Sequence, residues 1–261
     1  TNVTNDIGGT IGSPASATGK ILNDDVRPSP ANDSGPAVSG TASTAAIANV
    51  RANDTVNGAG ATSSNSTIAQ FGTWTTGITL DTTNGAVAVG VTSSVAPGTY
   101  TNTYQLCDLA TPTPNCNTAT ATVTVIPTYL LTVTKSGTGD GTLTSSAGGL
   151  SCGTGPCTST HNDGTSVTLT ATGAAGSTFT GWSGESCTGT GTCVVTMSQA
   201  RNVTATFTLN TYTIGGTVSG LESGKSVVLQ NSGGNNLPVN ANGSFTFTTP
   251  VNFGGSYAVT V

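Results

Sequence analysis

Only 7% of the 261 residues are charged, and 11 acidic and 6 basic side chains give a formal net charge of −5. So few basic residues, spread along the chain, form no patch that neutralises phosphates, which argues against a nucleic-acid partner. Apolar runs never approach the roughly 20 residues of a membrane-spanning helix. Thr favours strands and carries a hydroxyl that water solvates, so this composition indicates a β-rich protein whose stability depends little on pH or salt.

The first segment, residues 1–27, contains the sequence SPASATGKILNDDV. It resembles the closing strand of a Calx-β domain, which ends in a similar run of Asn and Asp. In that family the acidic residues after the last strand help to bind calcium, so the resemblance implies that Asp24 and Asp25 are calcium ligands. Calcium takes roughly six to eight oxygen ligands. The alternative interpretation is a solvated turn before Pro28.

Residues 28–127 are predicted to form a β-module that begins with a proline-rich connector. Four apolar residues alternate with Thr in NTATATVTVI and predict one buried strand face: Ala119, Ala121, Val123 and Val125. The Asn-Gly pair in GITLDTTNGAVAVG predicts a hairpin turn. The segment PGTYTNTY is a candidate tyrosine corner, and together these features resemble a bacterial immunoglobulin-like domain.

Residues 128–209 show an apolar period of two in YLLTVTK, SVTLTAT and NVTATF. This period predicts three half-buried antiparallel strands, with Phe179 and Trp182 of FTGWSG as the large core residues between them. The order of motifs, YxLTV, GTLTSS, SxxCGxGPC, GTSVTLTAT, FTGWSG and ARNVTATF, resembles the divergent internalin-type B-repeat of bacterial surface proteins. The resemblance implies a stalk or spacer unit, and the family carries no catalytic residues to transfer.

Residues 210–261 predict the beginning of another sandwich. Apolar positions separated by Gly, Asn and Pro turns mark four strands: Ile214 and Val218; Val227 and Leu229; Phe245 and Phe247; Tyr257, Val259 and Val261. The segment resembles a prealbumin-like or carboxypeptidase-regulatory-like β-module, which in relatives continues beyond YAVTV. We therefore expect incomplete modules at both ends, either because the chain belongs to a larger repetitive protein or because another subunit supplies strands.

Six cysteines fall into three close pairs: Cys107 and Cys116, Cys152 and Cys157, Cys187 and Cys193. Local pairing is favoured because each pair would staple a tight loop, although a bridge between the two pairs of the central module stays open. The alternative is zinc, but the spacings lack a second two-ligand half and the chain has one His. The pairs therefore indicate disulfides and an oxidising compartment.

No catalytic site is predicted, and we expect the chain not to be an enzyme. His161 precedes an Asn-Asp-Gly turn, where the neighbouring Asp163 is badly placed to orient it in a Ser-His-Asp arrangement. A glycosidase needs two carboxyl groups facing one cleft, and the carboxylates are scattered. A lone Trp, such as Trp74 or Trp182, is more often a core residue than a sugar-stacking platform.

The sequence thus predicts an all-β chain of tandem antiparallel β-sandwich, immunoglobulin-like modules joined by short linkers. We expect a structural stalk or fibre segment of a secreted or cell-surface bacterial protein, which strand complementation would join head-to-tail into a filament. Its partner is then another copy or the rest of a larger modular chain. The alternative is a ligand-binding adhesin module that recognises a glycan or a host protein, which a cluster of exposed aromatic residues would favour. Calcium is the one cofactor considered.

Overall fold

A computed structural model of the chain describes residues 27–40, 44–90, 94–152 and 155–261. Among the described residues, the regular secondary structure consists of β-strands and one short 3-10 helix. The chain divides into two compact units, residues 1–125 and 126–261. The predicted Calx-β-like strand, including Asp24 and Asp25, lies outside the described residues.

The described part of the first unit contains the 3-10 helix Val50–Asn53 and the strands β1 Asp33–Ser34, β2 Val38–Ser39, β3 Thr44–Ile47, β4 Thr55–Val56, β5 Ala59–Gly60, β6 Ser66–Phe71, β7 Ile78–Leu80, β8 Val87–Val89, β9 Gly98–Asp108 and β10 Cys116–Ile126. One sheet has the order β1-β10-β9-β6, with β2 beside β10, and the other has the order β3-β8-β7. Side chains of both sheets share one core, which makes the unit a β-sandwich.

The alternation predicted in the last strand of this unit is confirmed, because the alternate apolar residues of β10 are all buried: Ala119, Ala121, Val123 and Val125. The hydroxyl of Tyr100 donates a hydrogen bond to the carbonyl oxygen of Ala96, at 2.8 Å. A bond from a strand tyrosine to the backbone a few residues upstream is the geometry of a tyrosine corner. The β7–β8 hairpin turns at Gly85, whose φ of +84° explains the glycine.

The described part of the second unit contains the strands β11 Thr128–Gly137, β12 Gly141–Ser145, β13 Ser151–Cys152, β14 Cys157–Asn162, β15 Ser166–Gly173, β16 Ser177–Ser183, β17 Cys193–Thr196, β18 Arg201–Leu209, β19 Thr211–Tyr212, β20 Gly215–Val218, β21 Val227–Asn231, β22 Gly234–Val239, β23 Gly243–Thr246, β24 Val251–Asn252 and β25 Val259–Thr260. A five-stranded sheet, β13-β14-β11-β18-β16, and a three-stranded sheet, β12-β15-β17, share one core. Beyond β18 the strands form smaller sheets, β19-β24, β20-β23 and β22-β21-β25.

The three predicted strands of the central module are confirmed as β11, β15 and β18. Their inward residues are buried: Leu131, Val133, Val167, Leu169, Val203, Ala205 and Phe207. Two strand pairs differ from the antiparallel prediction, because β11 runs parallel to β18 and β1 runs parallel to β10. A period of two determines which face of a strand is buried, and it carries no information on the direction of the neighbouring strand.

Phe207 occupies the centre of the second-unit core. Its side chain is fully buried, and its ring centroid lies 5.4 Å from that of Phe179. A methyl group added at Gly141 would collide with the same ring, so the space around it is filled by neighbouring atoms. Removing such a ring leaves a cavity that the surrounding sheets cannot close without moving their backbones.

We therefore expect Phe207→Ala to lower the free energy of unfolding of the second unit by about 3–5 kcal/mol. Urea unfolding followed by the fluorescence of Trp182, in a Trp74→Phe background, measures this loss. The control is Val194→Ala, whose side chain is 58% exposed and whose removal should change stability by less than about 0.5 kcal/mol. Equal effects of the two substitutions would contradict this assignment of the core.

Candidate functional site

Three local disulfides join the six cysteines: Cys107–Cys116, Cys152–Cys157 and Cys187–Cys193. The first two join residues that lie opposite each other on neighbouring strands, β9 with β10 and β13 with β14. The third closes the loop before β17, and its Cα atoms are 5.4 Å apart. Within the described residues, no group of three or more His, Cys, Asp or Glu side chains is placed to hold a metal ion.

Both tryptophans are core residues. Trp74 is 9% exposed and donates its indole N–H to the carbonyl oxygen of Thr103 at 2.6 Å. Trp182 is 5% exposed and donates to the carbonyl oxygen of Gly191 at 2.7 Å. A buried indole with a satisfied N–H has no ring face free for a ligand. Neither side chain is therefore a platform for a sugar.

His161 is paired with a residue that the sequence analysis did not consider. The two residues Ser159 and His161 are two positions apart on β14, so their side chains share a face, and Ser159 Oγ lies 2.7 Å from His161 Nε2. Both side chains are buried, and burial lowers the pKa of His161. Asp163 lies in the following turn. Ser159 and His161 thus form an internal hydrogen bond, and a substrate cannot reach their buried side chains.

A buried polar cluster in the first unit was also not predicted. The hydroxyl of Tyr104, fully buried on β9, lies 2.9 and 3.0 Å from the two carboxylate oxygens of Asp54 and 3.0 Å from the carbonyl oxygen of Ala31. The hydroxyl of Tyr104 also lowers the pKa of the neighbouring Asp33 carboxyl. One Asp33 oxygen, Oδ2, is buried and has no hydrogen-bond partner in the described part of the chain. A single hydroxyl hydrogen cannot satisfy this many acceptors.

In this buried cluster both aspartates bind a proton more readily than they would in water. Burial raises the pKa of Asp33 to about 6; the nearby charge of Asp54 adds to this rise, whereas the bond from Tyr104 opposes it. Burial also raises the pKa of Asp54 and of Tyr104. The buried guanidinium of Arg51 attracts Asp54 and donates to two loop carbonyls. A low content of charged residues therefore does not make the first unit insensitive to pH.

Residues 210–261 bury few of their apolar side chains completely. The fully buried hydrophobic residues of this segment are Ile214, Leu229 and Phe247. Its exposed large apolar residues are Tyr212 at 54%, Val228 at 44%, Phe253 at 46%, Tyr257 at 62%, Val259 at 39% and Val261 at 89%. Five of them line two separate depressions: Val259 and Val261 line a groove of about 430 Å³ beside β21, and Tyr212, Phe253 and Tyr257 line a cleft of about 330 Å³ beside β24. These are the described surfaces with the shape and the chemistry to bind a partner.

The Asp33 pKa predicts how stability varies with pH. In the folded state the pKa is about 6, above the ordinary value of 3.8, so ionised Asp33 destabilises the fold. This penalty is complete above about pH 6 and disappears as the pH falls below about 4. Asp33→Asn should therefore raise the free energy of unfolding of the first unit by about 1–2 kcal/mol at pH 7.5. This value is smaller than the full pKa shift would give, because the Asp33 side chain is partly exposed. At pH 4 the substitution should leave stability unchanged.

Amide hydrogen exchange of β9, measured at both pH values, reads out the first unit alone. The control is Glu222→Gln, which neutralises an exposed carboxylate in the second unit. An Asp33→Asn chain that is less stable than the unmodified chain at pH 7.5 would show that the ionised carboxylate is favourable in this cluster.

Comparison with known proteins identifies one part of the chain. Residues 129–211 match the family model of the divergent InlB B-repeat domain. The match covers the central sandwich and agrees with the resemblance that its motifs indicate, so this part is a domain similar to the repeats of bacterial surface proteins. It covers less than half of the chain. The Calx-β-like, immunoglobulin-like and prealbumin-like resemblances remain predictions.

No curated protein matches the chain. Among solved structures, the human desmocollin-1 ectodomain aligns with 86% of this chain, at 10% sequence identity and a TM-score of 0.26. The chain covers 55% of that ectodomain. A likeness of this degree supports no conclusion about function. In the described part of the chain, no helix is long and apolar enough to cross a membrane.

Proposed function

We propose that this chain is a structural stalk or fibre segment of a bacterial extracellular surface protein. The B-repeat match supports a surface-repeat module, and three local disulfides suit an oxidising, extracellular environment. In this proposal residues 1–27, 28–127, 128–209 and 210–261 are successive modules. The cores of the two central modules are two-sheet sandwiches, whereas residues 210–261 have a smaller core.

The observation that carries the proposal is the pairing of the first and last strands of the B-repeat-like module. β11 and β18 lie side by side and parallel, in register from Leu131 opposite Arg201 to Gly137 opposite Phe207. The module is entered at the start of β11 and left at the end of β18, so its two ends lie at opposite ends of this strand pair. Tension along the chain then loads all the hydrogen bonds between β11 and β18 together, in shear.

A shear-loaded pair resists force because its bonds must break together, whereas a pair that is pulled from one end opens one bond at a time. We therefore expect the module to unfold at a several-fold higher force when it is pulled through residues 128 and 209 than through residues 128 and 162. Thr128 lies directly opposite Asn162 on the antiparallel β14, which provides the unzipping control in the same fold. Force spectroscopy with clickable side chains at these positions makes the comparison, and equal forces would contradict a load-bearing role.

The finer proposal is that copies of the chain join head-to-tail by strand complementation at β21. β25 pairs with Gln230 and Asn231, and the same antiparallel register places Val261 opposite Leu229. On the other side Pro238 of β22 lies opposite Val228. Pro has no N–H, so it is compatible with the antiparallel position that exchanges no hydrogen bonds. The N–H and C=O of Val228 then face the side of β21 on which β25 pairs.

The groove beside β21 suits an incoming strand. It is lined mainly by apolar side chains: Val218, Leu221, Val227, Leu229, Phe245, Val259 and Val261. In this proposal a strand from another copy would hydrogen-bond to residues 227 and 228 and would bury alternate apolar side chains against the groove. Because such a contact is one-directional and does not close, its repetition would build a filament.

Val228→Pro tests this contact because it removes the N–H that an incoming strand needs and leaves the bonds to β22 in place. We expect the unmodified chain to form end-to-end oligomers that grow with concentration, and Val228→Pro to remain monomeric. The matched control, Val228→Thr, keeps both the N–H and a β-branched side chain and should still assemble. Sedimentation velocity and electron microscopy measure the outcome. If the unmodified chain is monomeric at every concentration, strand complementation is excluded, whereas the proposed stalk function is not affected.

A further inference from the structure

Three exposed aromatic residues converge on the cleft beside β24. Tyr212, Phe253 and Tyr257 line it, and their side chains are 54%, 46% and 62% exposed. The ring centroids of Tyr212 and Phe253 are 6.5 Å apart, with the ring planes tilted by 48°. The volume of about 330 Å³ is at the small end of the range for ligand-sized pockets. Exposing three aromatic rings around one depression costs hydration free energy that a protein without a ligand there would avoid.

The backbone holds Tyr212 and Phe253 in place. β19 and β24 pair antiparallel, with Tyr212 opposite Val251, and the N–H of Phe253 donates to the carbonyl oxygen of Asn210 at 2.8 Å. A methyl group at Gly176, in the turn before β16, would collide with the Phe253 ring. One side of that ring is therefore packed against backbone. A ring fixed in this way loses little conformational entropy when a ligand stacks on it.

The remaining lining of the cleft is polar and uncharged. Thr213 and Asn252 contribute an exposed hydroxyl and an exposed amide. Neither side chain has a hydrogen-bond partner among the described residues, so both are available to a ligand. No Asp, Glu, Lys, Arg or His lines the cleft. A charged ligand would find no counter-ion here, and a purely apolar ligand would leave the amide and the hydroxyl unsatisfied.

We propose that this cleft binds a neutral carbohydrate. A sugar ring has an apolar C–H face, which stacks on an aromatic ring, and peripheral hydroxyls, which hydrogen-bond to amide and hydroxyl groups. The combination of fixed aromatic faces, free neutral polar groups and absent charge matches this chemistry. The cleft and the groove beside β21 share no lining residue. Carbohydrate binding is therefore independent of strand complementation and goes beyond a purely structural role.

Binding of the purified full chain to an array of neutral and acidic oligosaccharides tests the proposal, with calorimetry on the best neutral glycan. We expect binding to neutral glycans, and at least tenfold weaker affinity in Tyr257→Ala and in Phe253→Ala. Tyr257→Phe keeps the ring and should retain most of the affinity. The matched control is Phe71→Ala, which removes an aromatic side chain that is 51% exposed on β6 of the first unit, and it should bind as the unmodified chain does.

Three outcomes would overturn the proposal: no binding to any neutral glycan, binding to acidic glycans alone, or binding that the cleft substitutions leave unchanged. A proline-rich peptide that binds in place of sugars, and is lost in Tyr257→Ala, would assign the cleft to protein recognition instead. Tyr257→Ala should leave the fold intact, because the Tyr257 side chain lies largely outside the core. The melting temperature of each variant verifies that it is folded.

Discussion

The alternation of apolar residues with threonine along the strands is the constraint on which the rest of the structure depends. In β18 the residues Val203, Ala205 and Phe207 are buried, and the residues between them are Thr. The threonine hydroxyls keep the outer face of the strand hydrated without charge. The same pattern in β10 builds the core of the first unit. Because one face of each strand must be covered, each of the two central modules closes as two sheets over one apolar layer.

With so few charged side chains, each buried one has a definite role. Arg51 and Asp54 are both nearly completely buried in the first unit, where they lie with Tyr104 in one polar cluster. Arg201 and Glu185 form a half-buried ion pair of 2.6 Å that ties the start of β18 to the loop after β16. Burial weakens the screening of these interactions by salt, while the raised Asp33 pKa makes the first unit sensitive to protons. The stability of the first unit is therefore expected to depend on pH but little on salt, whereas composition alone predicted that both dependences would be weak.

The sequence was sufficient to predict the features that depend on local pattern. Strand faces follow from the period of two, and the hairpin at Gly85 follows from Asn-Gly. It was insufficient where distant segments meet. The parallel pairing of β11 with β18, the Tyr104–Asp54 cluster and the convergence of Tyr212, Phe253 and Tyr257 each join positions that no short window contains. β22 was missed for a different reason: GNNLPV has turn composition, and Pro238 is tolerated because β22 is an edge strand.

The two parts of the second unit differ in how completely they bury their apolar surface, and this difference connects structure to function. The central sandwich packs its aromatic residues in or against its core, and its first and last strands, β11 and β18, pair with each other. This arrangement suits the proposed role of bearing a mechanical load along the chain. Residues 210–261 have a smaller core and expose aromatic side chains around a cleft. On a chain with little charge to keep it soluble, exposed apolar surface of this kind favours association. The proposed extension by a copy at β21 and the proposed binding of a ligand beside β24 would use two depressions that share no lining residue, so one chain could do both.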